Sequence, residues 1–286
     1  MDAEAEGRAA AEEFRATHRL GIQPLGDLVA LIEQTTGFDV AVLDAGPDEH
    51  GLTMRDPQRS AVFIGVARSL RPMRQRSNLG HELGHVIFGD WVEPRDVKWG
   101  VRDDVERRAD VFARHLLVPL AGLADFLAEH GPISQATLSA VVQRFLVSPA
   151  LAAIQMCEGG HIDAGTKREW IRVTTPELAT RFGWSDQYRA LQVEADHRRA
   201  PQRLLARAIR GYAESVVSAQ TIATLRGAPL AEVEEDLQAA GVVSADRPVT
   251  WANPADLPVV DVDHAELDAI LGALDESQES DDRGAE

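Results

Sequence analysis

His81-Glu82-Leu83-Gly84-His85 is an H-E-x-x-H pentapeptide, and it decides more about this chain than any other stretch of its 286 residues. On a helix, positions 81 and 85 stand one turn apart on one face, so two imidazoles can converge on a single metal ion. Glu82 lies about 100° round the helix, where its carboxylate can reach a water in the metal's open position. The flanks suit a helix: Leu79, Leu83, Val86 and Ile87 make an apolar stripe, and Gly89 stands where a C-cap glycine belongs. The competing reading is an ordinary amphipathic helix with one buried and one surface histidine.

A metal site of this kind needs a third ligand. Residues 105–117 read as a second helix, with Val105, Ala109, Phe112 and Leu116 as its apolar stripe and Pro119 as its stop. Glu106 and Asp110 are four residues apart beside that stripe, so both can face the first helix. Glu106 can complete a His₂Glu site with the fourth position left for water. Asp110 can accept the second N–H of a ligating imidazole, fixing its tautomer and raising its basicity. The alternative is that both are solvated surface carboxylates.

At these residues the chain resembles the ImmA/IrrE-type metallo-endopeptidases. The resemblance rests on H-E-L-G-H at 81–85 and on Glu106-x-x-Ala109-Asp110-x-Phe112-Ala113-x-x-Leu116-Leu117-x-Pro119, and it covers roughly residues 20–160. It implies an α+β, zincin-like peptidase domain: a small antiparallel sheet, the motif helix and a ligand helix, followed by a mainly helical C-terminal region. It also implies His81, His85 and Glu106 as ligands of one Zn²⁺ and Glu82 as catalytic acid and base. Where the family usually has Arg-Phe-Thr-x-Ala before the motif, this chain has Arg76-Ser77-Asn78-Leu79-Gly80. That departure alters packing and capping at the helix start and removes no ligand.

Other zinc chemistries are excluded by particular residues. A three-histidine H-E-x-x-H-x-x-G-x-x-H site would need histidine at position 91, which is Trp91. Cys157 is the single cysteine, so there is no cysteine zinc cluster, no intrachain disulfide and no indicated Cys–His nucleophile pair. An oxyanion-stabilising side chain is expected, with His115 and His161 as the candidates.

Upstream of the motif the pattern is helix, then short strands. Residues 26–33 read as a helix capped by Asp27; Phe38 to Leu43, Gly51 to Arg55 and Ser60 to Val66 read as strands, the last two flanking an Asp56-Pro57-Gln58-Arg59 turn. A sheet beside the motif helix offers an edge for an extended peptide to join as an added strand. Downstream, segments 119–129, 135–146 and 149–157 are helical, with Ser148-Pro149 as an N-cap and N1 pair.

Residues 135–157 and 218–240 both have a helix-turn-helix look, the second through Ala223, Gly227, Leu230 and Val233. Its recognition helix would present Glu232, Glu234, Glu235 and Asp236, and four carboxylates repel phosphates. A packed helical hairpin or a protein-docking surface is the better reading, with no direct nucleic-acid binding expected. Net charge is −17, and residues 255–286 hold eleven acidic residues against Arg283. Asp263-His264-Ala265-Glu266 reads as a capping box for a short amphipathic helix, and residues 275–286 as disordered. Against that acidity, Arg198, Arg199, Arg203, Arg207 and Arg210 form one basic stretch, either a solvated face or a site for an acidic partner such as the tail. Arg68, Arg71, Arg74 and Arg76 form another.

The chain therefore reads as an acidic N-terminal helix (1–19), a zinc metallopeptidase domain with trailing helices (20–175), a helical C-terminal domain (176–255) and an acidic tail (256–286). No apolar run approaches the ~20 residues of a membrane span, and the acidic N-terminus lacks the order of a signal peptide, so a cytoplasmic protein is expected. The resemblance implies helix-turn-helix repressors or similar regulators as substrates, cut in mobile-element or stress responses. The rival function is a regulatory protein that binds a repressor through the same fold without cutting it.

Overall fold

Three short strands support the motif helix. In the computed structural model, which describes residues 2–45, 51–91 and 104–245, strands β1 (Asp39–Leu43), β2 (Gly51–Asp56) and β3 (Ala61–Ala67) lie in the order β1-β3-β2. Strands β2 and β3 form an antiparallel hairpin. Its turn is pinned by Asp56, whose Oδ1 accepts from the backbone N–H of Gln58 (2.9 Å) and Arg59 (3.2 Å). Strand β1 pairs with β3 in parallel. The sheet is thus mixed, correcting the antiparallel sheet expected from sequence. Alternation reports which face each side chain takes, whereas direction is set here by β2 passing to the far edge before β3 returns between its neighbours.

The outer edge of β1 is covered, because Val42 and Arg199 exchange backbone hydrogen bonds of 2.9 and 3.1 Å. The outer edge of β2 has no strand partner among the described residues, and Leu52 and Met54 are exposed on it.

Helix α1 (Ala3–Thr17) and helix α2 (Leu28–Thr36) precede the sheet; Asp27 caps α2 by accepting from Ala30 N–H, and Gly37 ends it at φ 72°. After β3, helix α3 (Pro72–Phe88) carries the pentapeptide. It begins seven residues before its apolar stripe, with Pro72 in the first turn where its missing N–H costs nothing, and Gly89 closes it at φ 69°.

Helix α4 (Asp104–Leu117) packs directly on α3. The seam is made of small residues: a Cβ on Gly80 would stand 3.2 Å from Ala113 Cβ, and one on Gly84 would stand 3.1 Å from Ala109 Cα. On another flank of α4 lies α1, with Phe14 edge-on to Phe112. Gly7 of α1 sits so close that a Cβ there would meet Arg108 O at 2.5 Å.

The remaining helices are α5 (Leu120–Ala128), α6 (Gln135–Phe145), α7 (Pro149–Glu158), α8 (Ala164–Trp170), α9 (Thr175–Arg181), α10 (Ser185–Ala195), α11 (Gln202–Ala213), α12 (Ala219–Arg226) and α13 (Leu230–Ala239). One apolar cluster runs from Phe14 through Ile32, Ile64, Leu83 and Phe112 to Trp184 and Tyr188. A second, smaller cluster joins Ile222, Ala223, Val233 and Leu237, with Ile209 and Tyr212 at its margin. Gly227, at φ 66°, makes the turn between α12 and α13 as its sequence context suggests. The four carboxylates of α13 are exposed, and Arg226 pairs with two of them, Glu232 (3.4 Å) and Asp236 (2.6 Å).

Three expectations change. By length and composition the stretch Asp104–Ala128 would also pass as a membrane span, but 61% of its apolar window is buried inside the protein, where α4 and α5 are core helices. The basic stretch after α10 is not free for an acidic partner throughout: Arg199 pairs with Asp27 (2.8 Å) and Arg203 with Asp39 (3.0 Å), so it docks α11 onto α2 and β1. The arginines before the motif are not one surface either. Arg68 pairs with Asp44, while Arg76 lies inside α3 and donates to the carbonyls of Leu25, Gly26 and Leu146. The capping box at 263–266 and the acidic tail lie outside the described residues.

Candidate metal centre

Helix periodicity and the glycine seam together bring the expected ligands to one point. His81 and His85 each follow a seam glycine, so their side chains leave α3 at the rim of its contact with α4. Glu106 leaves α4 one turn before Ala109 and Asp110. Among the described residues, His81 Nε2, His85 Nε2 and the Glu106 carboxylate lie within 4.8 Å of one another. The edges of that triangle are 3.0 Å (Nε2 to Nε2), 3.3 Å (His81 to Glu106 Oε2) and 3.5 Å (His85 to Glu106 Oε1). Two ligands of a tetrahedral zinc, each at about 2.0–2.1 Å, stand about 3.3–3.4 Å apart, so the triangle has the size of one face of such a site.

The other ring nitrogens are also engaged. His81 Nδ1 is 2.9 Å from Asp110 Oδ1, the contact expected from sequence. His85 Nδ1 is 3.3 Å from Asp90 Oδ2, which sequence reading missed. Asp90 is five residues beyond His85 and past the helix end. The left-handed Gly89 turns the chain back so that Asp90 N–H bonds His85 O (2.9 Å) and its side chain meets the ring. Each Nδ1–H donated to a carboxylate leaves Nε2 as the lone-pair nitrogen, which is the tautomer a metal requires.

Burial opposes a charge on His81, yet the hydrogen bond to Asp110 and the charges of Asp110, Glu82 and Glu106 outweigh it and hold its pKa above the usual histidine value. A site that favours a proton at this nitrogen also favours a cation there. The donor set therefore fits a divalent metal such as zinc.

Glu82 points toward the sheet. Its Oε2 accepts from Thr53 Oγ1 at 2.7 Å, and a Cβ on Gly51 would stand 2.6 Å from Oε1. Strand β2 thus seats the carboxylate with one hydroxyl and one missing side chain. No sequence period could have named Thr53 or Gly51, because nothing local says which strand borders the motif helix. Trp91, at the end of α3, is exposed, with the Arg55 guanidinium 5.5 Å from its ring.

His115 does not join this group. It lies nine residues after Glu106, half a turn round α4, and its buried ring faces α1 and α7. There Nε2 is 3.2 Å from Glu158 Oε1 and 3.6 Å from Glu4 Oε1. Glu4, His115 and Glu158 also have the spacing of metal ligands, but two contacts oppose that use. Arg114 Nη2 bonds both carboxylates. Gln155, oriented by Arg114 Nε on its Oε1 (2.8 Å), turns its amide N–H toward His115 Nδ1 and Val118 O. A metal on Nε2 would need a proton on Nδ1, facing that amide donor. His161 follows α7, against Gly159, and is not in the ligand group either.

Comparison with known proteins agrees with this geometry. Residues 36–156 match the model of the IrrE N-terminal-like domain, a family of M78 peptidases. In this part the chain is similar to the ImmA/IrrE family. The IrrE-like domain so defined contains the sheet, α3, α4 and the helices as far as Met156 in α7, and it leaves out α1, all of α2 but Thr36, and everything from Cys157 on. A further relative is the radiation response metalloprotease IrrE of Deinococcus radiodurans, 28% identical over 163 residues, which are 55% of this chain and 48% of that protein. The chain spans about half the length of that relative.

Proposed function

We propose that the protein is a zinc-dependent endopeptidase whose substrate is another protein, a helix-turn-helix repressor or similar regulator, cut inside the cell in a regulatory or mobile-element response. The observation that carries the reading is one juxtaposition: three candidate ligand atoms on the two helices, with the Glu82 carboxylate, whose charge acts on His81, held against strand β2. Zinc held by His81, His85 and Glu106 would supply Lewis-acid polarisation of a scissile carbonyl and a water acidic enough to ionise near neutrality.

The chain's own groups account for the rest. The Glu82 carboxylate accepts the proton of the attacking water and returns it to the leaving amine. Thr53 holds that carboxylate by Oε2. Asp110 and Asp90 keep the imidazoles in the metal-binding tautomer. The open edge of β2 allows an extended peptide to join the sheet next to Glu82, with backbone hydrogen bonds giving affinity. The repressor is supported by the family resemblance. The acidic surface of α13 favours a protein partner over nucleic acid.

The test is incubation of the purified chain plus Zn²⁺ with the regulator encoded beside its gene. Wild type should cut it and a chelator should stop the cutting; Glu82→Gln should keep zinc and lose cleavage by at least about 10²-fold. His81→Ala or Glu106→Ala should lose both. Normal cleavage by Glu82→Gln, or stable binding of the regulator by wild type without cleavage, would overturn the reading.

A further inference from the structure

We propose that α1, which lies outside the IrrE-like domain, sets the affinity of the metal centre through Arg108 and Asp90, two positioning residues for His85. The inference rests on the metal reading above and adds a line of contacts that reaches the site from the N-terminal helix. His85 Nδ1 meets Asp90 Oδ2 at 3.3 Å, and the Asp90 side chain is only 9% exposed. Burying a carboxylate is costly unless it is paired with a cation. Arg108 supplies it, with Nη2 bonded to Asp90 Oδ1.

Arg108 is itself held on three sides. Its guanidinium carbon lies 4.6 Å from the centre of the Phe88 ring. Its Nη1 is 3.7 Å from Glu6 Oε2 on α1. Gly7, the next residue of α1, packs on the Arg108 backbone so closely that any side chain there would strike Arg108 O and Val111. Among the described residues the buried Arg108 Nε has no hydrogen-bond partner, and the outer nitrogens are anchored, one by Asp90 and one by α1. Arg108 sits two residues after Glu106 on the same helix, so what moves it also moves against the third ligand.

The consequence is an ordering of effects. Asp90 touches the ligand, Arg108 touches Asp90, and α1 touches Arg108. Loss of a carboxylate that orients a metal-bound histidine weakens metal binding about 10–100-fold. Arg108→Ala should weaken it by about tenfold, because Asp90 remains but is left unpaired. Glu6→Gln should have little effect, since a long, half-exposed ion pair contributes little. Gly7→Val, which must lift α1 off Arg108, should weaken binding several-fold.

The experiment is a zinc titration of the full chain in competition with a chromophoric chelator, with the Co²⁺ absorption spectrum as second readout. Asp90→Ala and Arg108→Ala should raise the zinc Kd in that order and shift the Co²⁺ bands, with partial recovery in Asp90→Asn and Arg108→Lys. Those two conservative variants carry the test should either alanine variant fail to fold. Gly7→Val should add nothing further in the Arg108→Ala background, whereas a general loss of stability would add. Wild-type zinc affinity and Co²⁺ bands in the Asp90 and Arg108 variants would overturn the proposal while the metal reading stands. Equal effects of Gly7→Val in both backgrounds would remove α1 from it. A wild-type chain that binds no zinc, or a His85→Ala chain that binds it normally, would overturn the metal reading itself.

Discussion

At His115 the protein holds an imidazole neutral where water would leave it half protonated near pH 6.5. Burial and the charges of Arg114 and Arg8 push its pKa down to about 4. The Gln155 amide facing Nδ1 has the same effect, since a protonated ring would set donor against donor. Glu4 and Glu158 face Nε2, but Arg114 already bonds both carboxylates. Because the folded value is depressed, the stability this residue confers is complete above pH 6.5 and is lost as pH falls from there toward 4. The loss amounts to at most about 3 kcal/mol. Urea unfolding of wild type and of His115→Leu across pH 4–7 checks it: the difference between the two should shrink as the solution is acidified. A difference independent of pH would show that His115 titrates alike folded and unfolded.

At the scale of elements, the decisive contact is between α3 and α4. Gly80 and Gly84 on one helix meet Ala109 and Ala113 on the other, each pair four residues apart. This lets the helix axes approach until His81, His85 and Glu106 converge. Gly84→Val should force the helices apart, costing about 1–3 kcal/mol of stability and abolishing zinc binding even in the fraction that folds. Thermal unfolding and metal content of the purified variant measure the two effects, and full zinc occupancy would refute the role of the seam. Much of this was legible in the sequence, because helix caps and apolar stripes are local. Asp27, Gly89 and Ser148 each stand where capping chemistry places them, and His81, His85, Glu106 and Asp110 follow from a helical repeat. What was not legible depends on distance across the fold. The parallel pairing of β1, the Thr53 hydroxyl on Glu82 and the return of Asp90 to His85 all rest on how elements are laid side by side.

At the scale of the molecule, two apolar clusters of unequal size share the described chain, and charge helps join what apolar contact does not. Helix α11 has no fully buried residue, yet Arg199 and Arg203 fix its start to Asp27 and Asp39 on α2 and β1. The basic stretch visible in the sequence is therefore partly internal wiring, which composition alone could not distinguish from a surface for acidic ligands. The glycine seam has a consequence at this scale as well. The candidate ligands are brought together by helix-to-helix contact, so a peptide connection between α3 and α4 should not be needed to bring them to one point. Fragments ending at Trp91 and beginning at Asp104, expressed together, should associate and take up one zinc between them. Size-exclusion chromatography with metal analysis would show it, and fragments that stay apart and bind no metal would mean that the seam alone does not hold the centre in shape.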